Sequence, residues 1–392
     1  MSFSIPGGVV YGFNYKYIFL PVIILVGIGY LVWKKSNVRL PDYILVFSVV
    51  LVFMFFQAAL VGLLNNNTVY VLDDFRLLFS VFVIFSLYYI LFKDDLSFQK
   101  SFLKVAIFGV FIYNLIRIIL ELAFVFNLID MASIEVIALN YGGRVPVTSP
   151  LPLSMIRLYW TEMDLVSICV AYAFFIAKPS VDVGKCFRIL FYFVVFSGVI
   201  IGFSRLLMGL SLLSLFVAFL YKFGFWKTLK KSLFLFSIII LMLLDPLSQL
   251  FEKRFSDRYI ATADEVRVEQ VESLFEKWSE YPIAGAGFGA NANVLRSIDK
   301  PYQYEIWWVS YWMKTGLVGV VVFMFLLVLP LFSKGVLLRR DDVYLLFIYY
   351  VFILSSFTNQ YMPSSISAFV FVLIYFSFNN SNKKVIDRSE YV

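Results

Sequence analysis

The sequence predicts an all-α fold: a polytopic transmembrane helical bundle of about eleven spans (ten to twelve), with an external loop that carries an amphipathic helix. Three observations predict it. Hydrophobic residues make up 61% of the 392 and charged residues 15%, against about 25% charged in soluble proteins, and mean hydropathy is +0.86. The apolar residues form repeated continuous runs of roughly 17 to 25 residues, the length that crosses a bilayer, without the alternation of an outer-membrane barrel. Lysine and arginine gather in alternate loops, as they do where a chain crosses a membrane repeatedly.

Taken in order, the apolar runs place spans near residues 17–33, 43–64, 76–92, 102–126, 160–177, 187–203, 206–221, 232–250, 306–332, 342–358 and 364–378. Residues 1–392 then form one integral membrane domain, with no internal repeat. No basic n-region or small-residue cleavage site accompanies the first span, so no removed signal peptide is expected. Segments 34–39, 93–104, 178–188, 222–231, 334–340 and 383–388 hold 19 of the 33 Lys and Arg. The positive-inside rule makes that side cytoplasmic, with the C-terminus inside and, for eleven spans, the N-terminus outside. The net charge of +7 is thus spread by topology rather than gathered into a patch for nucleic acid.

Three features fall on the outer face. The first is a loop over residues 127–162, with Arg144, Arg157, Tyr159, Trp160 and Glu162 and with Asp164 just beyond it; its Pro and Gly argue against a missed span. The second is the tight hairpin at Gly202, Phe203, Ser204 and Arg205. The third is a loop over residues 246–305, the longest polar interval in the chain. Within it Thr262 and Glu265 fit a capping box opening a helix over about residues 263–280. Val268, Val271, Leu274, Phe275 and Trp278 recur at helical spacing as its apolar face, and Glu269, Glu272 and Glu276 face away. Arg267 falls inside the apolar arc, beside Val271, Leu274 and Trp278. Tyr281 and Pro282 end the helix, and Gly285, Gly287 and Gly289 supply tight turning; no strand precedes them, which excludes a dinucleotide fingerprint.

The chemistry available is bounded by composition. There is no His, so acid–base work falls to Asp, Glu, Tyr, Lys or Cys, and a His-type zinc site is excluded. Cys169 and Cys186 lack CxxC spacing and read as core residues. Asp73 and Asp74 read as a solvated outer loop rather than a metal pair. Arg117 lies inside a span with Glu121 one turn later; it either pairs with Glu121 or lines a cavity for an anionic headgroup. Glu305 enters a span just before Trp307 and Trp308, aromatic residues of the kind that mark an interface.

Ser204 with Arg205 at an outer turn, Arg267 eleven residues before Trp278, the Pro/Gly stretch 282–289, Glu305 and Gly316 with Gly319 stand in an order that resembles the O-antigen ligase and polymerase superfamily of bacterial envelopes. The resemblance covers roughly residues 195–325. Ligases of that superfamily carry His where this chain has Glu305, which favours a Wzy-type O-antigen polymerase; Tyr302, Tyr304 and Asp299 are neighbours that an alignment shift would bring to the same place. The resemblance implies a metal-independent glycosyltransferase of the bacterial inner membrane with no cofactor. Its substrates would be undecaprenyl-pyrophosphate-linked oligosaccharides, joined on the periplasmic side. Membrane lipids, a chain-length regulator and a flippase would be its partners. Arg205 and Arg267 would bind pyrophosphate and Glu305 would act as base; Arg117, Arg144, Arg157, Tyr159, Trp160 and Tyr304 are the candidate substrate contacts.

Overall fold

The computed structural model describes residues 9–10, 13–14, 42–92, 95–141, 163–176, 183–202, 204–229, 257–334, 340–359 and 367–374. The expected spans at 17–33 and 232–250 lie outside them. A two-residue antiparallel ribbon pairs β1 (Val9–Val10) with β2 (Phe13–Asn14). The rest of the regular structure described is helical: α1 Asp42–Asn65, α2 Thr68–Phe92, α3 Leu96–Val125, α4 Met131–Tyr141 and α5 Met163–Ile176. There follow α6 Lys185–Ile201, α7 Arg205–Phe223, α8 Asp257–Glu280, α9 Trp307–Lys334 and α10 Arg340–Ser355, with residues 367–374 helical as well. Among the described residues three helical stretches, Ser97–Val125, Leu206–Phe223 and Trp307–Phe325, are long and apolar enough to cross a membrane, and Phe55–Asn65, Met163–Ile176 and Asp342–Ser355 are shorter apolar pieces.

The core is organised around α5. Every residue of it but Phe175 is buried, and it packs against α3, α6, α7 and α10. A helix apolar except for Asp164 and Ser167, both with polar partners on α3, belongs in such a position. Gly198 lets α6 lie close to α3, because a Cβ there would fall 2.2 Å from Asn114 Oδ1; Asn114 in turn donates to Val110 O and to Ser167 Oγ on α5. The Asp95 side chain caps α3 by accepting from Phe98 N, a bond that satisfies one of the donors a helix start leaves unmade.

Three helix boundaries differ from expectation. α2 begins at Thr68, not near 76, because the Asn67 side chain accepts from Val69 N and brings Asp73 and Asp74 into the helix; they are not a solvated loop. α4 occupies part of the stretch expected to be all loop, since the helix-breaking Gly and Pro residues begin only at Gly142. α8 is already helical at Asp257, so Thr262 and Glu265 lie inside it. The stretch from Asp257 to Ala261 has no Gly or Pro to break it.

Candidate functional site

α1 and α2 form a helical hairpin joined at Asn66 and Asn67, and the segment 281–306 is folded onto its tip. The joint is built of backbone and amide bonds. Phe288 N donates to Ala58 O at 2.9 Å, Gln57 Nε2 donates to Ala284 O at 2.8 Å, and Asn66 Nδ2 donates to Ala286 O and Phe288 O at 2.9 and 3.0 Å. The buried Phe288 ring sits against Phe55 and Phe75. Gly287 makes this approach possible: its φ is +85°, and a Cβ would fall 2.4 Å from Gly62 N. Gly287→Ala is therefore expected to cost at least about 1–3 kcal/mol through overpacking, read as a lower unfolding temperature in detergent. Gly209→Ala, at an exposed helical position with open space around it, is the control that should not destabilise.

The same segment interrupts α9. The apolar run 306–332 was expected to be one unbroken span, but Gly316 has φ 64° and ψ −155°. The carbonyls of Met313 and Lys314 accept from Ala286 N and Gly287 N, both at 2.9 Å, and Leu317 N donates to Pro282 O at 2.8 Å. Irregular backbone is tolerated in an apolar helix where neighbouring protein satisfies it, and residues 282–287 do so here.

Beneath the joint lies a buried polar pin. Lys314 Nζ donates to Asp74 Oδ2 at 2.6 Å and to Tyr302 O at 2.7 Å, and the same Asp74 oxygen accepts from Gly289 N at 2.9 Å. The Tyr302 hydroxyl donates to Asp73 Oδ2 at 3.0 Å and its ring stacks on Tyr70. Burial, then the Asp73 carboxylate, push the Tyr302 hydroxyl well above the usual phenol range, so it works as a neutral donor.

Above the pin, α8 docks on the segment through Leu274, with Val271 and Trp278 packed against Ala286, Ala290, Tyr304 and Met313. The inward face is turned from the one expected: Gln270, Ser273 and Leu274 are buried, whereas Val268 and Phe275 are exposed. Ser273 Oγ accepts from Val294 N, which fixes the helix's register. Glu269, Glu272 and Glu276 face outward as expected.

This docking brings Arg267 to Glu305. Arg267 Nε and Nη2 both lie 3.1 Å from Glu305 Oε2, and Arg296 forms an ion pair with Glu305 Oε1. One carboxylate thus bridges two guanidinium groups. The side chains of Arg267, Arg296 and Glu305 are 36%, 43% and 24% exposed, so solutes reach the cluster. At such exposure an ion pair contributes only about 0–1 kcal/mol to stability. Two guanidinium forks and one carboxylate can bind a multiply charged oxyanion and accept a proton.

The other expected site residues are placed differently. Tyr304 is a core residue, not a surface contact: it is buried, its hydroxyl accepts from Ala292 N at 2.7 Å, and burial pushes its pKa up. Trp308 is likewise core, donating from Nε1 to Ile353 O. Arg117 is fully buried and ion-paired with Asp164 under the ring of Tyr113, a cross-helix partner that local sequence did not point to. Arg205 opens α7, after Ser204 as N-cap, and α7 packs on α5, α6 and α10, whereas Arg267 stands on α8 and Glu305 in the chain just before α9. The turn before Arg205 lies on the Arg117–Asp164 pair, since a Cβ at Gly202 would fall 2.7 Å from Asp164 Oδ2. Arg144, Arg157, Tyr159 and Trp160 lie outside the described residues. Cys169 is buried and Cys186 exposed, both as thiols.

Comparison with known proteins gives no match: no family model, no curated protein and no solved structure matches the chain.

Among the described residues no group of three or more His, Cys, Asp and Glu is placed to hold a metal ion. Arg296, Lys314, Asp74 and Asp164 were missed as site or support residues. Lys314, a lone cation in an apolar run, carried a usable signal, because an ionisable residue there calls for a partner. Arg296 carried none.

Proposed function

We propose that the protein polymerises undecaprenyl-pyrophosphate-linked oligosaccharide repeat units into O-antigen or a similar surface polysaccharide. The reading takes the chain as a single membrane domain of about eleven spans in the bacterial inner membrane, with the segment 257–306 on the periplasmic side and the C-terminus in the cytoplasm. The observation that carries it is the Arg267–Glu305–Arg296 cluster, an accessible carboxylate between two guanidinium groups on the longest polar segment of an apolar chain.

The chemistry follows from those groups. A hydroxyl oxygen of the acceptor glycan attacks the anomeric carbon of the donor as the bond from that carbon to pyrophosphate breaks. The electron pair leaves with the lipid pyrophosphate, whose charge the arginines neutralise in bidentate fashion without titrating. The hydroxyl proton passes to the Glu305 carboxylate, a general-base contribution of about 10²–10⁴ in rate.

A second reading, transport of the lipid-linked glycan, draws on the broken helix α9 beside the buried Lys314–Asp74 pair, since discontinuous helices mark many transporter sites. Deleting the gene and resolving surface polysaccharide on a gel separates the readings. The expected result is that single repeats remain and longer chains vanish. Loss of every repeat with lipid-linked polymer accumulating would instead mean a ligase that transfers glycan to lipid A core. Accumulation of single lipid-linked units on the cytoplasmic face would mean a flippase.

A further inference from the structure

Glu305 does more than sit near its arginines. Its Oε2 faces two nitrogens of Arg267 and its Oε1 faces Arg296, so both oxygens are engaged and the carboxylate bridges the two guanidinium groups. One carboxylate thereby meets both guanidinium groups in a cluster that solvent reaches. The two arms also differ in mounting. Arg267 stands on the docked helix α8, whereas Arg296 lies in irregular chain between the tethers at Val294 N and Ala292 N and the start of α9.

We propose that Glu305 is an internal anion occupying a two-arginine clamp, and that Arg267 and Arg296 exchange it for the diphosphate of an incoming substrate. A diphosphate diester presents two charges spread over several oxygens and matches two forks better than one carboxylate does. Exchange makes the carboxylate available only when the diphosphate is seated, which couples proton abstraction to donor binding. This rests on the polymerase reading for the identity of the substrate, but the exchange itself is measured without it.

The test is binding of inorganic pyrophosphate to the full-length protein in non-ionic detergent. If the self-occupied clamp is populated about 90% or more, it weakens apparent affinity about tenfold. Glu305→Gln, which removes the competing charge, is therefore expected to bind pyrophosphate at least about tenfold more tightly than wild type. That gain should disappear when Arg296→Gln is added, and Arg296→Lys, which retains charge but not the fork, should retain only part of it. A gain in affinity cannot arise from unfolding. Equal or weaker binding by Glu305→Gln overturns the proposal, and so does a gain that survives Arg296→Gln.

Repeating the titration in phosphatidylcholine nanodiscs with and without phosphatidylglycerol distinguishes the source of the anion. Unchanged affinity supports a diphosphate ligand, and competition by phosphatidylglycerol overturns that assignment in favour of a bilayer headgroup. Failure of the exchange with polymer length still dependent on the gene leaves the polymerase reading standing. A tighter Glu305→Gln in a protein whose deletion leaves chain length unchanged does the reverse.

Discussion

Under the proposed polymerase reading, Glu305→Ala is expected to abolish long glycan chains while the protein accumulates to normal levels. The carboxylate is partly exposed and its ion pairs are solvent-screened, so its loss costs about 0–1 kcal/mol of stability per pair. Its loss as a base costs about 10²–10⁴ in rate, enough to leave single repeats in place of a ladder. On the same reading Arg267→Ala should give the same gel pattern for a different reason: the leaving pyrophosphate would lose a bidentate partner mounted on α8. An immunoblot of membrane fractions measures abundance, and a gel of surface polysaccharide measures chain length. Full-length polymer from Glu305→Ala sinks the assignment of the base. Loss of the protein itself from the membrane would show instead that the cluster is structural.

Much of this arrangement was legible in the sequence, and the remainder was hidden for a common physical reason. Continuous apolar runs located the long apolar helices among the described residues but not α4, because bilayer-length hydrophobicity is a property of local sequence. Helical spacing set Arg267 on the inward side of α8 and the glutamates outward, but the contact of Arg267 with Glu305, 38 residues away, left no local pattern. Tertiary partners were not legible. Arg117 meets a carboxylate 47 residues away at Asp164, and Lys314 meets one 240 residues away at Asp74. Neither separation leaves a local pattern. The turned face of α8 has the same origin: Ser273 is buried because the chain at Val294 lies on it, not because it is apolar. The break at Gly316 is stable only because residues 282–287 take up its backbone groups, and no reading of α9 alone would have predicted it.

The pin beneath the site should dominate stability in the way the exposed cluster does not. Lys314 and Asp74 have side chains only 7% and 13% exposed, and the Asp74 oxygen that meets Lys314 also takes the Gly289 N–H. Lys314→Met leaves that carboxylate buried with its cation gone and removes the donor to Tyr302 O. The expected cost is about 3–5 kcal/mol, the usual consequence of breaking one side of a buried pair. Adding Asp74→Asn removes the stranded charge while an amide oxygen still accepts from Gly289 N, so the double variant should be more stable than Lys314→Met alone. Thermal unfolding of the purified protein in detergent reads both. The segment that carries Arg296 and Glu305 is anchored by this pin, so Lys314→Met should also lose long glycan chains, and the double variant should regain part of them. A Lys314→Met protein that unfolds at the wild-type temperature yet loses activity would contradict the anchoring role. It would move Lys314 and Asp74 from the support of the site into its chemistry, the result that a transport reading requires.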